Sequence, residues 1–245
     1  MDTSLNKYIS DSGFCSRREA DQYIEQARVT INGELAWKGT RVKVGDKVLV
    51  DGEPLPKKKA PVYLMLNKPK GITCTTDRKD KTNIVDYVNY KQRIFPIGRL
   101  DKLSEGLIFL TSDGDIVNKI LRSGNGHEKE YVVSTDRPFD LEFVKQMRAG
   151  VRIPDGMTKP CFVKQEGPNR FRIILVQGLN RQIRRMCEAL GHNVESLTRI
   201  RIMNITVNGL QPGKWRYFTP AEISTISTMV ASSSKTDDGD GGMDE

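Results

Sequence analysis

Histidine and paired cysteines are scarce in this chain. It has two histidines, His127 and His192, and four scattered cysteines, Cys15, Cys74, Cys161 and Cys187, with no C-x-x-C pair. Two histidines argue against both a Ser-His-Asp triad and a His-rich metal cluster. His127 falls on a loop, and His192 follows the helix-ending Gly191. Isolated cysteines point to reduced thiols and away from a zinc site or a disulfide framework. No apolar run approaches the roughly 20 residues that span a bilayer, and the N-terminus carries no apolar signal segment. These absences predict a soluble, cytoplasmic protein with no metal and no membrane partner. What is present is positive charge. The 245 residues carry a formal +8, with 37% hydrophobic and 29% charged residues, enough for one large domain or two small ones with a wet surface. The charge is uneven: from Ser232 on, five acidic residues face only Lys235, so residues 1–231 hold +12. A body this basic suggests a polyanion partner. Net charge alone does not specify function, and a basic protein without nucleic acid is the alternative. The Ser/Gly/Asp-rich tail, set at 227–245, has the composition of a disordered segment.

Residues 1–53 read as a small helix-then-strand module. Leu5, Tyr8 and Ile9 make one helical face, and Ser16-Arg17-Arg18-Glu19 is a capping box ahead of Ala20, Tyr23, Ile24 and Ala27 at helical spacing. Val29–Ile31 is a strand ending at the hairpin signal Asn32-Gly33, and Val42, Val44, Val48 and Val50 alternate around Gly45-Asp46. Arg17 and Arg18 stand in the first turn of a helix, where the macrodipole disfavours cations but free N–H groups suit a phosphate. Solvated surface charge is the plainer reading. The pattern Leu5-x-x-Tyr8-Ile9, Gly13, Ser16–Ala20, Ile24, Val29-x-Ile31-Asn32-Gly33 and Val44-x-x-x-Val48 resembles the ribosomal protein S4-type RNA-binding module. The resemblance implies docking on structured RNA through the face carrying Arg17 and Arg18.

Residues 54–61, with three prolines and three lysines, read as a linker. A second, α+β domain follows at 62–226, with antiparallel-looking strands and intervening helices. Its predicted elements include a strand from Val62 to a basic turn at Asn67–Gly71, a helix at 114–122, a strand at Lys129–Val133, a strand at Phe171–Val176, and a helix capped by Asn180 and closed by Gly191. Thr219-Pro220-Ala221-Glu222 starts a last helix. The centre of this domain is Phe95–Asp101 with Ser104-Glu105-Gly106 and the apolar run Leu107–Leu110. Phe95, Ile97 and Leu100 pull the stretch inward, so Asp101 is expected in a partly buried place. A desolvated carboxylate needs a cation close by. So placed, it serves as nucleophile or general base; capping a turn is the structural alternative. Three pieces are candidates to converge on it: Arg99, the strand face of Lys129 and Tyr131, and the Leu175–Arg185 segment, whose helix start carries Arg181, Arg184 and Arg185. Tyrosine offers a stacking surface and arginine a counter-charge, a set that suits a nucleobase drawn out of a helix.

Asn67-Lys68-Pro69-x-Gly71, Gly98-Arg99-Leu100-Asp101 with Ser104-x-Gly106-Leu107, Leu110-Thr111-x-Asp113-Gly114, Lys129-x-Tyr131 and Gln182-Ile183-Arg184-Arg185-Met186 occur in that order. Together they resemble the pseudouridine synthases, in the ribosomal RsuA/RluF branch that carries an N-terminal S4-type module. The stretches Asn125–Tyr131 and Gly178–Cys187 look nearest to the branch's large-subunit rRNA enzymes. The resemblance implies a mixed-sheet catalytic domain that isomerises a uridine without metal or cofactor. It implies Asp101 as the catalytic aspartate, Tyr131 under the flipped uracil, Arg184 paired with Asp101, Leu175 against the base and Arg99 as a wedge in the vacated stack. Lys129 would join them at the substrate, and Lys68, Arg181 and Arg185 would hold RNA. The partner implied is large-subunit ribosomal RNA, free or in a pre-ribosomal particle, with tRNA as a second candidate, and the enzyme would be a monomer. Leu103 departs from the polar residue relatives have beside the catalytic loop. Two rival readings stand beside this one: a non-catalytic RNA-binding or ribosome-assembly protein, and a hydrolase using Asp101, which would want a partner acid or a metal.

Overall fold

The computed structural model describes residues 2–121, 123–231 and 233. They fold as two compact units, one built from the residues up to Val62 with 91–93 and 112–114, the other from 63–90, 94–111 and 115 onward.

The small unit runs β1 (Thr3–Ser4), α1 (Leu5–Asp11), α2 (Arg17–Glu25), β2 (Val29–Ile31), β3 (Glu34–Leu35), β4 (Arg41–Val42), β5 (Val48–Val50) and β6 (Glu53–Pro54). Strands β3-β2-β5-β6 make an antiparallel sheet, and β1 pairs with β4. Helix α2 starts where the capping box places it. The Glu19 N–H donates to Ser16 Oγ at 3.1 Å, and the Ser16 N–H donates to the Glu19 carboxylate at 2.7 Å. Its inner face, Ala20 and Ile24, packs with Leu5, Ile9, Val29, Val42, Val48 and Val50. Val44 leaves the predicted alternation and is 90% exposed. The Lys43 N–H donates to the Asp46 carboxylate at 2.8 Å, so this stretch is a turn between strands and not part of either. The predicted linker is also shorter at its start. Pro54 lies in β6 opposite Leu49, and Leu55 packs on the core of the small unit.

The large unit runs β7 (Tyr63–Lys68), α3 (Ile84–Val88), β8 (Phe95–Ile97), β9 (Glu105–Thr111), α4 (Gly114–Leu121), β10 (Lys129–Thr135), α5 (Leu141–Ala149), β11 (Arg152–Ile153), β12 (Gly156–Met157), β13 (Phe162–Gly167), β14 (Arg170–Leu175), α6 (Gln182–Ala189), β15 (Val194–Ile202), β16 (Ile205–Thr206), β17 (Trp215–Tyr217) and α7 (Pro220–Ala231). Nine strands form one mixed sheet in the order β13-β14-β10-β15-β9-β7-β17, with β16 on β15 and β8 on β9. The β15–β9 junction is parallel, and the other pairings are antiparallel. Leu64 to Leu66 and Leu107 to Leu110 are buried in succession because the central strands are covered on both faces. Ile116 and Ile120 of α4 and Ile226 and Val230 of α7 close one core over Met65, Phe109 and Phe218. That packing corrects the predicted start of the tail. Ile226 and Val230 lie one helical turn apart on the buried side of α7, which keeps 227–231 helical. Beyond Ala231 the predicted tail lies, Ser233 apart, outside the described residues.

Two local features aim the site. Opposite β10, the register of β15 shifts between Glu130 and Tyr131: Arg201 faces Glu130, Arg199 faces Tyr131, and Ile200 is skipped. Such a bulge turns two arginines of i, i+2 spacing to opposite faces of the sheet. At the parallel junction Arg199 pairs with Gly106, whose φ is +103°, and a Cβ on Gly106 would collide with the main-chain oxygen of Arg199. Only glycine suits both the conformation and the approach. Gly106→Ala is therefore expected to cost about 3 kcal/mol or more and to lower the melting temperature of the large unit by roughly 10 °C. Melting unchanged from the natural protein would contradict this account of the junction.

Candidate active site

Asp101 lies in the hairpin loop 98–104 between β8 and β9, whose register is fixed by Ile97 opposite Phe109. The Ser104 N–H donates to the Asp101 carbonyl at 3.0 Å and tightens the turn. The loop is held by its main chain. Lys68 Nζ donates to the carbonyls of Pro69 (3.0 Å), Ile72 (2.9 Å) and Lys102 (3.5 Å). Gly71 N–H reaches the same Lys102 carbonyl at 2.8 Å, and Leu100 N–H reaches Cys74 Sγ at 3.4 Å. Arg199 Nε donates to the Leu107 carbonyl at 2.6 Å, and its Nη1 reaches the Arg99 carbonyl at 3.5 Å. Two buried cations thus sit beneath the loop and are met by carbonyl oxygens.

Above them opens a cavity of about 670 Å³. Lys129 and Tyr131 of β10, Leu175 of β14, Leu197 and Arg199 of β15 and the start of α6 line it, together with Asp101 and Arg99. The Asp101 side chain is 37% exposed, with Oδ2 3.5 Å from Arg184 Nε and 3.9 Å from Arg181 Nη1. Arg184 is buried and its fork is pinned. Nη1 donates to the Val194 carbonyl at 2.9 Å and Nη2 to Ser104 Oγ at 3.2 Å, which leaves Nε toward the carboxylate. Helix α6 begins one residue later than predicted. Its N-cap is Arg181 in a left-handed conformation (φ 50°), and the turn before it is held by Gln182, whose Oε1 accepts the Leu179 N–H at 3.1 Å.

The electrostatics of the floor are cationic. Burial, then the charge of Arg199, pushes the Lys129 ammonium down to about 8. Its Nζ donates to the His127 carbonyl at 3.3 Å. Burial lowers Lys68 below the usual lysine range and raises the Cys74 thiol above the usual cysteine value. Glu130, adjacent in sequence, is on the other face of the sheet and accepts from Arg172 and Arg201, each at 2.6 Å. A carboxylate at ion-pair distance from a buried arginine, in a cavity shared with a tyrosine and two leucines above a cationic floor, suits work on a flat, polar ring.

Residues 62–189 match the family model described as RNA pseudouridylate synthase, more than half of the chain. The chain belongs to this family. Residues 3–48 match the S4 domain. The chain is 55% identical over 232 residues to the dual-specificity RNA pseudouridine synthase RluF of Escherichia coli strain K12, covering 94% of this chain and 80% of that protein. It is 33% identical over 235 residues to the ribosomal large subunit pseudouridine synthase B of Bacillus subtilis strain 168, covering 92% and 96%. A solved structure described as pseudouridylate synthase superposes with a TM-score of 0.67 at 28% identity, over 91% of this chain and 99% of that one. The protein is thus an isomerase of RNA, an RNA pseudouridine synthase with an N-terminal S4 domain.

In this synthase the cavity gathers Asp101, Arg99, Lys129, Tyr131, Leu175, Arg181 and Arg184. Arg17 and Arg18 are exposed at the start of α2 in the S4 domain. Arg185 is turned away, forming an ion pair with Asp155. Lys68 corrects the expectation of an RNA contact: it is fully buried and spends its donors on three carbonyls. Arg199 was not foreseen. Two arginines inside Leu197–Ile202, Arg199 and Arg201, were the available signal, but simple alternation puts both on one face, and only the bulge separates them.

The depressed value of Lys129 gives a stability prediction. Between about 8 and the ordinary 10.5 the unfolded chain holds this proton and the native one does not, so its contribution to stability rises with pH across that window. At pH 7 the buried charge is a cost, on the order of 3 kcal/mol at most. Lys129→Met should raise the melting temperature by several degrees at pH 7, with a smaller gain at pH 10. A variant that melts lower at pH 7 would refute the cost.

Proposed function

We propose that this synthase converts a uridine of large-subunit ribosomal RNA to pseudouridine, with Asp101 as the acting carboxylate. The observation that carries this reading is the carboxylate itself, open to the cavity and 3.5 Å from the buried Arg184. Tyr131 and Leu175 hold the two sides of the flipped base, Lys129 lies at its edge, and the exposed Arg99 fills the stack it leaves. The reaction breaks the bond from uracil N1 to the ribose, turns the base and rejoins it through C5. The large-subunit assignment is supported by the name of the Bacillus subtilis relative. The name dual-specificity, carried by the Escherichia coli relative, supports testing tRNA as a second substrate. The S4 domain docks RNA through Arg17 and Arg18, and the protein works as a cytoplasmic monomer on free rRNA or a pre-ribosomal particle. Binding alone gives no reason for an acid at the centre of a basic cavity, because a carboxylate near phosphates weakens affinity.

Pseudouridine formation on protein-free large-subunit rRNA tests the reading. Asp101→Asn keeps the size and removes the charge, and it is expected to lower the rate by about 10²–10⁴-fold or more. Equal activity in the two proteins would remove Asp101 from the chemistry. Arg17→Ala with Arg18→Ala should weaken rRNA binding and reduce the slope of log K against log salt by about one for each phosphate left without its arginine. An unchanged slope would place the docking face elsewhere.

A further inference from the structure

The cations around the cavity sort by depth. Arg99, Lys102 and Arg181 are exposed, at the rim, where a phosphodiester backbone can pass. Lys129 and Arg199 lie at the floor, 5% and 4% exposed, beside Tyr131, Leu175 and Leu197. Among the described residues no carboxylate forms an ion pair with either. Glu130 is held on the opposite face by Arg172 and Arg201, and the bulge in β15 is what brings Arg199 to the cavity face. Arg199 Nη2 is buried and has no hydrogen-bond partner among the described residues. Buried donors are ordinarily paired, and an unpaired cationic one is costly. Two like charges, an unmade hydrogen bond and apolar walls together make a place for a flat group that becomes negative.

Isomerisation produces such a group. When the N1–C1′ bond breaks, its electron pair stays on the uracil and spreads over N1, O2 and O4. The C5–C1′ bond then forms, the C5 proton leaves, and N1 ends protonated, with no oxidant or reductant involved. If the carboxylate instead adds first to C6, the C5=C6 π pair is displaced through C5 onto O4. Every route loads the pyrimidine oxygens with charge. We propose that Lys129 and Arg199 donate hydrogen bonds to the uracil oxygens and hold the negative charge of the base while it is detached from its sugar. This rests on the reading of Asp101 and the cavity given above.

The charged groups lining the cavity around Lys129 are Asp101, Lys102 and Arg99 from the loop, Arg181 and Arg184 from the α6 end, and Arg199 from β15. Strand β14 presents Leu175 there, and His127, which precedes β10, is pushed below the ordinary imidazole range by burial and by Lys129. The test is single-turnover release of tritium from C5-tritiated uridine in protein-free large-subunit rRNA, with tRNA in parallel, alongside RNA Kd, from pH 6 to 10. The natural protein should slow as pH rises through about 8, where Lys129 loses its charge. Lys129→Met should lower the rate at saturating RNA by about 10²–10³-fold at pH 7, with Kd within about threefold, and should lose the alkaline fall. Lys129→Arg should retain most of the rate and hold it to pH 10, since a guanidinium keeps its proton there, and Arg199→Lys should outperform Arg199→Met. Should the Arg199 variants misfold, since that side chain also props the loop, the Lys129 pair decides. A Lys129→Met rate within threefold of natural, a loss wholly in Kd, or an alkaline fall unchanged in both Lys129 variants would overturn the proposal while leaving the isomerase reading intact. Inactivity of the natural protein on both RNAs would overturn the two together.

Discussion

The site depends on how charge is kept beneath the Asp101 loop. Lys68 and Arg199 are buried and are met by main-chain carbonyls of the loop and its neighbours. A carboxylate in that place would neutralise them, but it would also compete with Asp101 for Arg184. Carbonyl oxygens satisfy the donors without cancelling the charge. The outcome is a rigid loop over a field that remains positive, and Asp101 can project into the cavity because its own backbone is immobilised from below. Arg184 completes this arrangement from the side, pinned by Val194 and Ser104 so that one edge of the guanidinium faces the carboxylate.

Much of this was legible in the chain. The capping box of α2, the strand–loop–strand around Asp101 and the pairing of Lys129 with Tyr131 on one strand face all follow from local rules, because each is decided by neighbours within a few residues. The convergence of Asp101 with Arg184 came from family likeness. Composition could not supply it, since the two lie on elements far apart in the chain. The departures from the sequence pattern have physical sources. Lys68 looks like a surface cation in a basic turn, and only tertiary burial turns it into a structural brace. Arg199 looks equivalent to Arg201 until a skipped residue reverses it. Val44 fits a strand pattern, but the turn made by Lys43 and Asp46 ejects it. For Lys68 and Arg199 the deciding partners lie outside the local window; for Val44 it is the neighbouring Lys43–Asp46 turn, which outweighs the alternation.

The sheet has a seam with consequences for how the enzyme is made. Strands β13, β14, β10 and β15 stand on one side, β9, β7 and β17 on the other, and they meet at a short parallel pairing of Thr198 with Glu105 and Arg199 with Gly106. Asp101 belongs to one half, whereas Tyr131, Lys129 and Arg199 belong to the other. During synthesis from the N-terminus, the acid and its hairpin emerge first and wait for roughly a hundred residues before the strand that completes the cavity exists, a contact of long sequence separation. A nascent chain therefore carries a basic surface without an assembled cavity. In the finished enzyme, any shear along that two-pair seam changes the gap between Asp101 and the face carrying Tyr131, Lys129 and Arg199 before it disturbs either half.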